Sequence, residues 1–258
     1  MSESKKQLET FVSLLKEFKT NREQGGLLRF ERSAIVASDV ATQFYCEKKV
    51  EMQYVYGKVE TESKNLGTEA HATLAQGSGK VNREKLWEKI YSGKPVFALE
   101  MFLLSKYGDA FLAGKPDSVL FRSGYPLMLF EYKFSQSSIA FPSYHVQAQT
   151  YCVLLGKMGF DVSRLFYAIV VADPKTKGSG EFRKDVKRKV IANRSKIATH
   201  SIEGAKIYLN KFNSSCAEMD LNWAFEFWSK KREAKPTSNP NKCERCEYKV
   251  KCPQQGSN

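Results

Sequence analysis

Two carboxylates and an ammonium at strand spacing set out the chemistry this chain can do. Gly114-Lys115-Pro116-Asp117 is followed by Glu131-Tyr132-Lys133. Residues two apart on a β-strand share a face, so Glu131 and Lys133 project together while Tyr132 points the other way. Asp117, near the end of the preceding hairpin strand, joins them when the two strands pair. Carboxylates held that close repel unless a cation lies between them, and hard oxygen donors favour Mg or Mn over softer metals. Such an ion lowers the pKa of a bound water and offsets charge developing on a phosphate, with Lys133 orienting the water. The expected reaction is phosphodiester hydrolysis. Taken alone, the same residues also fit a turn aspartate and a cross-strand ion pair on a solvated face, so their surroundings must decide.

Those surroundings carry a family likeness. Pro116, Asp117, Glu131 and Lys133 resemble the catalytic core of the PD-(D/E)xK nuclease superfamily, and Gly67-x3-His71 upstream and Gln147-x3-Tyr151 downstream resemble the extra motifs of its RecB-like branch, in the same order. Spacing itself gives only that Gln147 and Tyr151, at i and i+4, share one face of a helix. The resemblance implies that His71 is a metal ligand beside Asp117, Glu131 and the main-chain carbonyl of Tyr132. It also implies that Lys133 positions the water and that Gln147 and Tyr151 support the phosphate. The implied fold class is α/β, a restriction-endonuclease-like core of mixed sheet flanked by helices. His145 and His200 have no comparable context and are given no role.

A second constellation ends the chain, where Cys243-x2-Cys246-x5-Cys252-Pro253 sits in a polar tail too short to hold itself without a ligand or cross-link. Cysteine-rich metal sites usually need four ligands, so three thiolates call for a fourth from Cys46, Cys152 or Cys216. Cys152 and Cys216 lie in helical context and read as buried thiols acting as small hydrophobes. Ligand type alone does not separate zinc from an iron–sulfur cluster. One cysteine ahead of a nuclease core and three behind it resembles the CRISPR-associated iron–sulfur exonucleases of the Cas four family and related helicase-nucleases of the AddB kind, over almost the whole chain. That resemblance implies a [4Fe-4S] cluster on Cys46, Cys243, Cys246 and Cys252, stapling the N-terminal helices to the tail. It further implies single-stranded DNA ends as substrate, CRISPR spacer acquisition as setting, and CRISPR adaptation proteins or further copies of the chain as partners. One departure is Glu47, which stands where the family often has Pro. Two other readings stay open: a non-catalytic zinc or iron–sulfur DNA-binding subunit, and a RecB-like nuclease of DNA repair and recombination.

The elements that must position these residues follow from periodicity. Leu8, Phe11, Leu15 and Phe18 predict a helix over about Lys5 to Lys19, and Ser38 and Asp39 predict the cap of a second helix carrying Phe44, Tyr45, Cys46 and Tyr54. Further helices are expected around Gly67 to Leu74 and after Asn82, through Leu86, Trp87 and Ile90. Three strands, Val96 to Leu104, Ala110 to Phe121 and Leu127 to Phe134, are expected as a meander. A helix from Ser143 to Met158 and a strand from Leu165 to Ala172 complete a strand-helix-strand crossover, followed by a basic helix and another carrying Leu221, Trp223, Phe225 and Trp228. The expected organisation is a helical region over 1–65, a nuclease core over 66–233 and a cysteine-rich tail over 234–258 that packs on the N-terminal region.

Composition narrows the partners. The 258 residues carry 41 Lys and Arg against 28 Asp and Glu, a net charge of +13, which suits a polyanion such as DNA. Arg183, Lys184, Lys187, Arg188, Lys189, Arg194 and Lys196 stand against Asp185 alone in one stretch and are expected to approach the DNA backbone. With 42% hydrophobic residues the chain has enough to bury a core. No stretch approaches the roughly 20 apolar residues of a membrane span and no signal-peptide core follows Met1, so no membrane partner and a cytoplasmic location are expected. Gly77-Ser78-Gly79-Lys80 hints at a phosphate loop, but Leu74 and Val81 replace the Gly and the Ser or Thr that a nucleotide site needs. A built-in helicase motor is excluded on that ground.

Overall fold

A computed structural model describes residues 2–59, 82–176 and 179–253. The expected Gly67 to Leu74 helix, His71 and the Gly77 to Lys80 loop lie outside these residues. The described elements are helices α1 (Glu3–Glu23), α2 (Ala37–Tyr45), α3 (Glu47–Tyr56), α4 (Arg83–Ile90), α5 (Pro142–Lys157), α6 (Gly180–Asn193), α7 (Ser214–Trp228) and α8 (Pro240–Glu244). The strands are β1 (Ala34–Val36), β2 (Val96–Leu99), β3 (Leu103–Tyr107), β4 (Ala110–Gly114), β5 (Ser118–Arg122), β6 (Tyr125–Phe134), β7 (Phe166–Ala172), β8 (Ala198–Ile202) and β9 (Ala205–Lys211).

Six strands form a mixed sheet in the order β2-β5-β6-β7-β9-β8, and a smaller sheet runs β1-β4-β3. At the centre β6 and β7 pair in parallel through α5, with Glu131 opposite Ile169 and Lys133 opposite Val171. Their near-continuous apolar runs are those of strands covered on both faces. One face sends Leu129, Ile169 and Val171 into a core shared with α1, α4, α5 and α7. The other sends Phe130, Tyr132 and Val170 against Phe182, Val186 and Val190, which recur every four residues along α6. The α/β expectation of a sheet between helices is met, as is the strand-helix-strand crossover.

The three-strand meander is not what forms. Both predicted long strands break, and each break moves the chain from one sheet to the other. Glu100 adopts a left-handed φ of 46° between β2 and β3, a conformation that no residue continues a strand from. Pro116, which has no N–H to give a ladder, separates β4 from β5. The two breaks are tied together, because the Glu100 amide donates to the Asp117 carbonyl at 3.2 Å. Asp117 therefore sits at the seam of the two sheets, immediately before β5.

Other differences are local. The second predicted helix is two helices, since Cys46 is extended (φ −172°, ψ 123°) between α2 and α3. Ser38 and Asp39 lie inside the first turn of α2 and Val36 is its N-cap. Asn82 does cap α4, accepting the Glu84 amide at 2.9 Å. The β8–β9 hairpin stands between the two helices expected to follow one another directly, a departure from the predicted order. Cys152 is buried as expected, whereas Cys216 is exposed in the first turn of α7.

Candidate active site

The functional side chains gather where β6, the start of β5 and the first turns of α5 meet. Asp117 reaches across the β5–β6 ladder, and its Oδ2 accepts the backbone N–H of Tyr132 at 2.7 Å. That bond fixes the Asp117 carboxylate beside the strand carrying Glu131. Lys133, two residues on and on the same face, donates from Nζ to Glu131 Oε1 at 2.8 Å. It donates equally to Gln147 Oε1 at 2.8 Å, and Gln147 Nε2 donates to the Tyr151 hydroxyl at 2.8 Å.

The direction of these hydrogen bonds follows from chemistry. An ammonium has only donors, so the Gln147 carbonyl must face Lys133 and its amide nitrogen must face Tyr151. The Tyr151 oxygen is thus an acceptor from Gln147 and keeps its own proton to donate. Burial, reinforced by the Glu131 charge, pushes the Tyr151 phenol well above its ordinary value, while the Gln147 bond opposes the rise. Burial pulls the Lys133 ammonium down, but the Glu131 carboxylate, its hydrogen bond and Asp117 outweigh it, and the net shift is upward.

Gly114 makes room for this arrangement. A Cβ there would lie 2.5 Å from Tyr151 Cε1 and 2.7 Å from Cδ1, so only glycine lets the β4 backbone approach the ring. Tyr144 lies on the same face of α5 one turn earlier, and its ring centroid is 5.3 Å from Lys133 Nζ. The Tyr144-x2-Gln147-x3-Tyr151 spacing was a readable signal for it, since i, i+3 and i+7 fall on one stripe.

Of the residues expected at this site, Asp117, Glu131, Tyr132, Lys133, Gln147 and Tyr151 are brought together, and His71 lies outside the described residues. The donors on hand are two carboxylates and a main-chain carbonyl, hard oxygens that fit Mg or Mn. Among the described residues no group of three or more His, Cys, Asp or Glu side chains is disposed to hold a metal ion. Two carboxylates alone do not reach that number.

The cysteines form a separate locus. Cys46, Cys243, Cys246 and Cys252 line one small cavity together with Tyr45, Lys49, Lys242 and Tyr248. All four thiols are free and partly buried, and as placed they do not close into a metal-holding group. Four soft sulfur donors on one cavity are a donor set suited to zinc or to iron and sulfide.

Protein contacts seat the tail against α2 and α3. Tyr45 Oη donates to the Lys242 carbonyl at 3.0 Å, Lys242 Nζ returns to the Tyr45 carbonyl at 3.1 Å, and buried Tyr248 donates to the Gly57 carbonyl at 2.6 Å. Glu47, the departure from the expected Pro, is itself buried. Its carboxylate accepts both Arg232 terminal nitrogens at 2.6 and 2.7 Å, the Lys235 amide at 2.7 Å and Gln43 Nε2 at 2.6 Å. The sequence alone suggests no role for Glu47 and Arg232, because the two lie 185 residues apart.

The basic residues of α6 divide. Val186 and Val190 face the sheet, Lys184 and Arg188 face solvent, and Lys187 Nζ lies 3.9 Å from the centroid of the Phe97 ring. Among the described residues no helix is long and apolar enough to cross a membrane.

Comparison with known proteins adds three findings. A family model described as the PD-(D/E)XK nuclease superfamily matches residues 80–253. No curated protein matches. Among solved structures, one titled "Crystal structure of SSO0001" is similar at 15% identity and a TM-score of 0.49, covering 96% of this chain and 97% of that one.

Proposed function

The chain belongs to the PD-(D/E)XK nuclease superfamily, whose members hydrolyse nucleic acid with metal ions, and from that premise we propose that it is a DNA exonuclease acting at single-stranded ends. The observation that carries the proposal is the unbroken run from Asp117 through the Tyr132 amide to Glu131, Lys133, Gln147 and Tyr151. A divalent ion, Mg or Mn, held by Asp117, Glu131 and the Tyr132 carbonyl with His71, supplies water activation and charge neutralisation when bound.

The residues of the chain do the rest. Lys133 spends two of its three N–H donors on Glu131 and Gln147, which fixes the third toward the attacking water or a phosphate oxygen. The Tyr151 hydroxyl, held by Gln147, donates to a second phosphate oxygen. The phosphorus–oxygen bond to the departing nucleotide breaks as the bond to water oxygen forms, and both donors meet charge that grows in that step. Lys184 and Arg188, exposed on α6 across the sheet from Glu131 and Lys133, attract the polyanion electrostatically, with no reading of sequence.

Cys46, Cys243, Cys246 and Cys252 are proposed to hold a [4Fe-4S] cluster as a staple. The order of these cysteines around the nuclease core supports the Cas four family reading, with CRISPR spacer acquisition as the setting and adaptation proteins as partners. The test is to purify the protein anaerobically, record its visible spectrum and incubate it with labelled single-stranded DNA and Mn. Brown protein that shortens the strand from an end supports the reading, whereas colourless protein that binds DNA and never cuts it makes the chain a binding subunit.

A further inference from the structure

The loop joining β6 to α5 leaves Lys133 and returns to Gln147, and it holds two large apolar side chains in water at the rim of the site. Ile139 is 58% exposed and Phe141 42% exposed. Looseness does not explain this, because the loop is pinned along its length. The Ser135 amide donates to the Ala172 carbonyl at 2.9 Å, and the Ser135 hydroxyl accepts the Ser137 amide at 3.1 Å. The Ser137 hydroxyl accepts the Ile139 amide at 3.3 Å, and Tyr208 Oη donates to the Ser138 carbonyl at 2.7 Å. Hydrogen bonds thus hold the loop in place while Ile139 and Phe141 stay in water.

Phe141 is also one ring removed from the reactive ammonium. It meets Tyr144 edge to face, with centroids 5.4 Å apart and planes at 81°, and Tyr144 in turn lies over Lys133. A strand whose phosphate sits at Lys133 has its neighbouring base within reach of the partly exposed Phe141 ring. Every base has a π-face, so such a stack is tolerant of sequence, but it is open only to a base that has left its own duplex.

We infer that Phe141, braced by Tyr144 and flanked by Ile139, is a stacking platform for the unpaired base next to the scissile phosphate, and that it makes frayed or single-stranded ends the preferred substrate. This rests on the nuclease reading above and adds the device that selects the strand. A protein partner or a second copy covering the same patch is the competing occupant.

The experiment uses the full-length parent protein with Ca in place of Mg or Mn, so that DNA is bound without being cut, and single-stranded DNA with 2-aminopurine at each of the terminal positions. Quenching of its fluorescence is followed with and without Phe141→Ala, and Phe141→Trp serves as the conservative control. With Mg or Mn restored, kcat and KM are measured on intact strands and on strands abasic at the quenched position. A stack of this kind is worth about five- to 150-fold in binding. The expected result is that Phe141→Ala abolishes quenching and raises KM on intact strands by a factor in that range. Phe141→Trp should preserve both, and abasic strands should be indifferent to either change.

Unaltered quenching and KM in Phe141→Ala overturn the platform even where Lys133-dependent cutting is intact. Quenching that depends on Phe141 in a protein that never cuts sinks the nuclease reading and leaves the platform standing. Oligomers that Ile139→Lys dissociates, with quenching unchanged, assign the patch to a protein interface and overturn the proposal.

Discussion

Replacing Glu47 by alanine removes one buried carboxylate that holds four donors at once: both terminal nitrogens of Arg232, the Lys235 amide and Gln43 Nε2. The Glu47 side chain is 1% exposed and that of Arg232 15%, so solvent screens the pair little. Removing one partner of a buried ion pair costs about 3–5 kcal/mol when the other charge loses its buried counter-charge, and Arg232 would keep only the largely exposed Glu226 at 3.4 Å. In a chain of this size 1 kcal/mol corresponds to roughly 2–4 °C in Tm, so Glu47→Ala should melt about 6–20 °C below the parent. Arg232 also donates to the Trp223 carbonyl at 2.9 Å and lies over the Trp223 ring at 4.4 Å, so Arg232→Ala should cost a similar amount. The double variant should cost clearly less than the two singles added, since it leaves neither charge orphaned. Thermal unfolding followed by circular dichroism, with the full double-mutant cycle, measures both quantities. A Glu47→Ala protein within about 0.5 kcal/mol of the parent, the range of ordinary surface changes, would refute the reasoning, as would singles that simply add.

Three further outcomes concern the site, the DNA path and the tail. Gly114→Ala puts a methyl group 2.5 Å from the Tyr151 ring; overpacking of this kind costs about 1–3 kcal/mol, and here cleavage should fall more than stability does, as read by kcat beside a melting curve. Converting Lys184 and Arg188, exposed on α6, to glutamine should flatten the dependence of log K on log salt for single-stranded DNA by about 0.7 for each phosphate no longer neutralised, leaving base preference unchanged; a titration over a salt series checks it. Cys252→Ser should remove visible absorbance from anaerobically purified protein and lower Tm, because a ligand-bound tail is stabilised by the binding free energy of its metal; iron and zinc analysis of the same samples decides which metal is lost.

Local pattern made the described part of the site readable, and long-range pairing hid the change of sheet that surrounds it. Glu131 and Lys133 fall on one face because strands repeat every two residues, and Gln147 and Tyr151 on one face because helices return after four. Both relations sit within one element, and the hydrogen bonds among them follow. Asp117 joins them through the expected β5–β6 hairpin pairing, whereas the change of sheet at Glu100 and Pro116 accompanies a parallel pairing of β4 with the distant β1 through Ala34↔Phe111 and its neighbours. No window around Val96 to Phe121 contains that information.

The β8–β9 hairpin was overshadowed by the charge run beside it, although its Glu203-Gly204 turn, with Gly204 at φ 71°, is an ordinary hairpin signal. Cys46 reads as helical because the apolar period continues through it, whereas its own backbone is extended and separates two helices. Cys216 reads as buried from its helix, but it lies in the first turn, on the solvent side. The Glu47 clasp was legible only as an oddity, a carboxylate where Pro is usual, since Arg232 and Lys235 reach it from the far end of the chain.

The claim on which the rest depends is that Asp117 and Glu131 gather one cation while Lys133 acts on the water beside it. Mn binding, followed by electron paramagnetic resonance, and single-turnover cleavage of single-stranded DNA should be measured together on the parent, Asp117→Asn and Lys133→Ala. The account predicts that Asp117→Asn loses both Mn and cleavage, and that Lys133→Ala keeps Mn and loses cleavage. Cleavage at the parental rate in Lys133→Ala, or in Asp117→Asn, would contradict it.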